Sequence, residues 1–138
     1  MTELATILRA AQLYAHAAHN EACGPTFFAD HEYLGDLYGA YESAYDAVVE
    51  RSIGLGIAVD LASIGVEAAN RASMWGGKQT ASAFDFLLDV ERGIVSEARR
   101  LSPFSTFGTV NLLSQLADDS EARQYKLLRR TMAQSPAK

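Results

Sequence analysis

The stretch His19-Asn20-Glu21-Ala22-Cys23-Gly24-Pro25-Thr26-Phe27-Phe28-Ala29-Asp30-His31 decides how the rest of the chain is read. At its centre is a helix break. Glycine suits the residue just past a helix end, and proline cannot continue the hydrogen-bond ladder. Upstream, Leu4, Ile7, Leu8, Ala11, Ala15 and Ala18 recur at three- and four-residue steps, with polar Arg9 and Gln12 between them. That spacing predicts an amphipathic helix over residues 3 to about 22. Downstream, Thr26 is placed to cap a second helix, whose stripe runs through Phe27, Leu34, Leu37, Tyr38, Tyr41, Tyr45, Val48 and Val49 to about residue 51. Roughly 25 residues at 1.5 Å each make it about 38 Å long. The turn between the two is short, so an antiparallel hairpin is expected.

Farther along, Gly54 and Gly56 end the second helix, and residues 59–69 suit a shorter connecting helix before Gly76-Gly77. A third long helix is predicted over about residues 80–101 on Phe84, Leu87, Leu88, Val90, Ile94 and Leu101, stopping at Ser102-Pro103. A fourth follows over residues 109–132, carrying Val110, Leu112, Leu113, Leu116, Tyr125 and Leu128. No stretch alternates as a strand would. The expectation is an all-α, ferritin-like four-helix bundle with a short helix in the long second connection, as one domain over residues 1–138. Residues 134–138 read as a frayed tail. Gly54-Leu55-Gly56 has no strand before it and lacks the full G-x-G-x-x-G pattern, so it does not read as a phosphate loop.

Composition narrows the class. With 138 residues, 49% of them hydrophobic, and three prolines, the chain has enough apolar material for a sizeable core. The uncharged stretch 52–59 is far too short to span a bilayer, and Met1-Thr2-Glu3 lacks the order of a signal peptide, so a cytoplasmic location with no membrane partner is expected. The single cysteine, Cys23, cannot form an internal disulfide and reads as a small, partly buried residue at a helix end. A net charge of -5 repels nucleic acid unless the cations gather on one face. They gather only near the end, at Lys126, Arg129, Arg130 and Lys138, where a solvated helix terminus explains them equally well.

His19 and His31 lie six residues either side of Pro25, so closing the hairpin brings them to one level. Two imidazoles meeting across a turn suit a transition metal, and two surface or capping histidines would look the same. Asp46 and Glu50, four residues apart, share one face of the second helix. They read either as carboxylate ligands or as a solvated face beside Arg51. One chain cannot use all four groups, because the fifteen positions from His31 to Asp46 span roughly 22 Å of helix. A dimer with two-fold symmetry and antiparallel second helices would bring Asp46 and Glu50 of one chain to His19 and His31 of the other.

This pattern resembles the Dps family of mini-ferritins. The segment 19–31, with its two histidines, Gly-Pro turn and phenylalanines, is similar to that family, as is Asp46-Ala47-Val48-Val49-Glu50-Arg51, which fits an acidic D-x-x-x-E-R segment. Phe86-Leu87-Leu88-Asp89-Val90-Glu91 and Thr109-Val110-Asn111-Leu112-Leu113 extend the likeness over nearly the whole chain. The resemblance implies a hollow homo-dodecamer with ferroxidase centres at two-fold interfaces, mononuclear or dinuclear. Catalysis and metal binding then fall to His19, His31, Asp46 and Glu50. It further implies iron as the metal, Fe(II) oxidised preferentially by hydrogen peroxide, a ferric mineral stored inside, and protection of the cell from oxidative stress.

The chain departs from that pattern at several places. Gly35 stands where the family carries an acidic residue, and the neighbouring Asp36 is rotated about 100° around the helix. Asn20 replaces a tryptophan; the only tryptophan, Trp75, reads as a packing or interface residue. His16 is either a supplementary ligand or a surface histidine. No lysine-rich N-terminal extension is present, so DNA binding is not favoured. Asp118, Asp119 and Glu121 are candidates for an acidic iron-entry pore, or an ordinary exposed face. The competing functions are a ferritin-like shell without efficient iron chemistry, a DNA-compacting protein, and a bundle holding zinc or manganese at the same residues.

Overall fold

The computed structural model describes residues 1–76 and 83–132, and all its regular structure is helical. The helices are α1 (Thr2–Glu21), α2 (Phe27–Gly54), α3 (Leu61–Gly76), α4 (Ala83–Leu101) and α5 (Phe107–Met132), with a 3-10 turn over Ser102–Phe104. No strand occurs among the described residues. The expected helix start at Thr80, the Gly77 half of the glycine break, and the tail 134–138 lie outside them.

Two compact units divide the chain, one holding α1 to α3 and the other α4 and α5. In the first, α1 and α2 run antiparallel, as Arg9 reaches Glu42 at one level and His19 meets His31 at another. Gly24 makes the turn with φ of +83°, a conformation open to glycine at no steric cost. Thr26 occupies the residue before α2 but makes no capping bond to the backbone; its hydroxyl donates to the Asp30 carboxylate at 2.7 Å. The predicted side-chain cap is thus replaced by a link within the first turn. Cys23 is exposed on this turn, not partly buried as expected.

The far end of α2 closes with Gly56 at φ of +74°, its N–H bonded to the Ile53 carbonyl while the Ile57 N–H reaches Ser52. This pair of bonds satisfies carbonyls that would otherwise be orphaned at the helix end. Asp60 then starts α3, accepting from the Ser63 backbone N–H at 3.0 Å and its hydroxyl at 2.7 Å. The connecting helix is longer than predicted. Glu3 of α1 clasps Arg71 of α3 at 2.7 Å, and Trp75 meets Tyr14 edge-on at 5.9 Å, a packing role.

α1 is enclosed on more of its circumference than one stripe would require. Leu4, Leu8, Ala11 and Ala15 are buried as predicted, and so are Ala5, Ala10, Tyr14 and the polar Gln12. The Gln12 carbonyl oxygen Oε1 has no hydrogen-bond partner among the described residues.

In the second unit, α4 and α5 are also antiparallel. Glu91 meets Ser120 and Arg123, and Arg130 stacks over Phe84 at 4.8 Å. Phe84, Leu87, Leu88, Val90 and Ile94 form the α4 face of the core. On α5 the buried line passes through Leu113, Leu116, Ser120 and Leu127, whereas the predicted Tyr125 and Leu128 are exposed. The reason is Glu91, fully buried on α4, which draws Ser120 and Arg123 into the seam to satisfy its carboxylate.

No helix among the described residues is long and apolar enough to cross a membrane.

Candidate metal centre

The geometry around the α1–α2 turn centres on His19 and His31. Their rings stack with centroids 3.7 Å apart and planes inclined by 24°. Each ring also bonds the other residue's backbone. His19 Nδ1 lies 2.7 Å from the His31 carbonyl oxygen, and His31 Nδ1 lies 2.9 Å from the His19 carbonyl oxygen. A carbonyl only accepts, so both Nδ1 atoms carry the hydrogen. In the neutral rings this leaves both Nε2 atoms with an open lone pair, the state a metal ligand needs.

The local sequence explains why the lock forms. His19 sits in the last turn of α1, where carbonyls have no partner within the helix, so its carbonyl is free to take the His31 hydrogen. His31 sits in the second turn of α2, and its carbonyl uses the second lone pair to take the His19 hydrogen. Phe27 packs against His31 with centroids 5.0 Å apart, and Tyr38 presents its ring edge-on to His19 at 5.4 Å. His16 stacks on Tyr38 at 4.3 Å and stands 6.3 Å from His19. It extends the aromatic row rather than converging with the pair.

The stack limits what the pair can hold. Each Nε2 lone pair lies in its own ring plane, and planes 3.7 Å apart inclined at 24° meet roughly 8 Å away, whereas a metal sits about 2 Å from an imidazole nitrogen. One ion cannot lie in both planes. As arranged, the pair offers one nitrogen to each of two neighbouring ions, or a single strong ligand to one.

Asp46 and Glu50 are both exposed on α2, which runs unbroken from the histidine level to theirs. No group of three or more His, Cys, Asp and Glu side chains converges within the described residues. A single chain thus brings the two histidines together but does not bring Asp46 and Glu50 to them. Asp36, Asp118, Asp119 and Glu121 are exposed, and Asp119 accepts from Gln115 at 2.9 Å.

Two contributors were missed in the sequence. Tyr38, a core residue by its spacing, supports both His16 and His19. Gly35, a departure from the acidic pattern in the sequence, turns its bare Cα to the His19 ring. Glycine inside a helix is costly, which was the available signal that something approaches closely there.

Comparison of the chain with protein-family models, curated proteins and solved structures finds no match.

Proposed function

We propose that the chain is the subunit of a cytoplasmic Dps-type mini-ferritin: a ferritin-like four-helix bundle that assembles into a hollow homo-oligomer, a dodecamer, and acts as a ferroxidase. The observation that supports this reading is the reciprocal lock of His19 and His31, which fixes both tautomers and frees both Nε2 atoms. Backbone carbonyls bonded to the second nitrogen of a ligating histidine are the usual way a protein orients such a ligand. Asp46 and Glu50 of a second copy complete the site across a two-fold axis. Nitrogen and carboxylate donors together suit Fe(II), which enters as substrate and leaves as stored ferric mineral.

In this reading His19 and His31 each offer Nε2 to a separate iron, or one of them to a single iron, while Asp46 and Glu50 supply the negative charge that compensates the rise from Fe(II) to Fe(III). Two Fe(II) ions are oxidised for each hydrogen peroxide reduced to two waters, with two protons taken up. The peroxide is consumed without release of hydroxyl radical. DNA binding is not part of the proposal, since the net charge of -5 opposes it.

The test is peroxide-driven Fe(II) oxidation followed by absorbance, on protein whose assembly mass is measured in the same sample. Fast oxidation with iron retained in a large shell supports the reading. A well-formed shell with no rate above the protein-free control makes it a shell without ferroxidase activity.

A further inference from the structure

Gly35 lies one helical turn after His31 on α2. In an α-helix the N–H of residue 35 bonds the carbonyl of residue 31, so Gly35 stands beside the oxygen that also receives the His19 hydrogen. A Cβ added at Gly35 would lie 3.3 Å from His19 Nδ1 and 3.3 Å from His19 Cε1. Those are the donor atom of the lock and its ring neighbour. The half-buried His19 ring is held in a row, with His31 stacked on it at 3.7 Å and the Tyr38 ring edge-on at 5.4 Å, so giving way means disturbing that row. At Gly39, Gly54, Gly65 and Gly93, also helical, an added Cβ would meet nothing within 4 Å.

We propose that Gly35 is a positioning residue of the histidine pair: its missing side chain leaves the His31 carbonyl open to the His19 Nδ1–H and lets the His19 ring lie against α2. Any side chain at 35 makes the ring give by a few tenths of an ångström, which lengthens the Nδ1 bond from 2.7 Å and weakens its hold on the His19 tautomer. A carboxylate there, one turn from His31, would therefore weaken the pair more through its Cβ than it could help as an added ligand. The consequence for metal affinity rests on the metal-site reading above, whereas the seating of the ring does not.

The two are separated by measuring wild type, Gly35→Ala and Gly35→Asp as assembled protein in three ways: histidine tautomers from 15N spectra, Co(II) binding by absorption titration, and the thermal midpoint. Wild type is expected to show Nδ1–H tautomers at His19 and His31. Gly35→Ala should show a mixed tautomer at His19 and bind Co(II) more weakly, by up to the ten- to hundredfold that removing a second partner of a ligand histidine costs. Its midpoint should stay level or rise, since alanine is the better helix former. A merely structural role for Gly35 cannot combine a weaker site with an equally stable helix. The proposal is overturned if Gly35→Ala keeps both tautomers and the wild-type affinity, or if Gly35→Asp binds Co(II) more tightly than wild type. Wild type with both tautomers but no Co(II) binding would overturn the metal-site reading and leave the seating intact.

Discussion

His31 and Asp46 stand fifteen positions apart on one uninterrupted helix, roughly 22 Å at 1.5 Å per residue, and cannot share an ion within a chain. Both are nevertheless proposed to be ligands. His31→Ala and Asp46→Ala should therefore each reduce the initial rate of peroxide-driven Fe(II) oxidation to that of the protein-free control. Circular dichroism should be unchanged, because Asp46 is exposed and His31 only half-buried. Wild-type rates in both variants would reject the site.

The Glu91 carboxylate is wholly enclosed, and Arg123 donates to it from Nε at 2.6 Å while itself being 16% exposed. Removing Arg123 leaves the buried Glu91 charge compensated chiefly by hydrogen bonds such as that from the Ser120 hydroxyl, which costs up to about 3–5 kcal/mol. Arg123→Met should lower the urea-unfolding free energy by that amount. Replacing both partners with apolar residues should recover much of the loss. If Arg123→Met costs no more than an exposed ion pair, about 1 kcal/mol or less, the pair is not buried in solution.

Glu97, 9% exposed, is held below the ordinary glutamate range by hydrogen bonds from Arg100. A carboxyl with a depressed folded-state pKa stabilises the fold fully above its unfolded value, about 4.3, and loses that contribution as pH falls through the folded value. Glu97→Gln should thus be less stable than wild type at pH 7, with the gap closing in strong acid. Denaturant midpoints at the two pH values check this. A gap of constant size would assign the effect to packing.

Gly56 closes α2 at φ of +74°. A side chain in that left-handed region costs about 1–2 kcal/mol. Gly56→Ala should lower stability by that amount even though an added Cβ meets nothing within 4 Å. Gly39→Ala, in the middle of α2, should instead stabilise by up to about 1 kcal/mol. Thermal midpoints moving in the same direction in both variants would contradict the assignment of backbone strain.

Much of this was legible in the sequence because helix periodicity and helix breakers are local signals. Gly24-Pro25, Gly54-Leu55-Gly56 and Ser102-Pro103 mark turns whose chemistry depends on neighbours a few residues away. The equal spacing of His19 and His31 about Pro25 likewise gave their meeting from the hairpin alone. What escaped the sequence depends on partners far along the chain. The α5 seam passes through Ser120 and Arg123 because Glu91, some thirty residues earlier, is buried opposite them. Gln12 reads as solvent-facing from its own helix but is enclosed. Gly35 looked like a missing ligand because sequence position tells which residue is absent, not what fills the space.

The central claim is that each site joins the histidines of one chain to the carboxylates of another, and subunit complementation tests it most directly. His31→Ala and Asp46→Ala chains, each inactive alone, are unfolded together in equal amounts and reassembled. Pairing His19 and His31 of the Asp46→Ala chain with Asp46 and Glu50 of the His31→Ala chain makes one intact site in every mixed dimer. Half the dimers are mixed, so about a quarter of the wild-type oxidation rate should return. A mixture as inactive as its two components would contradict a site shared between chains.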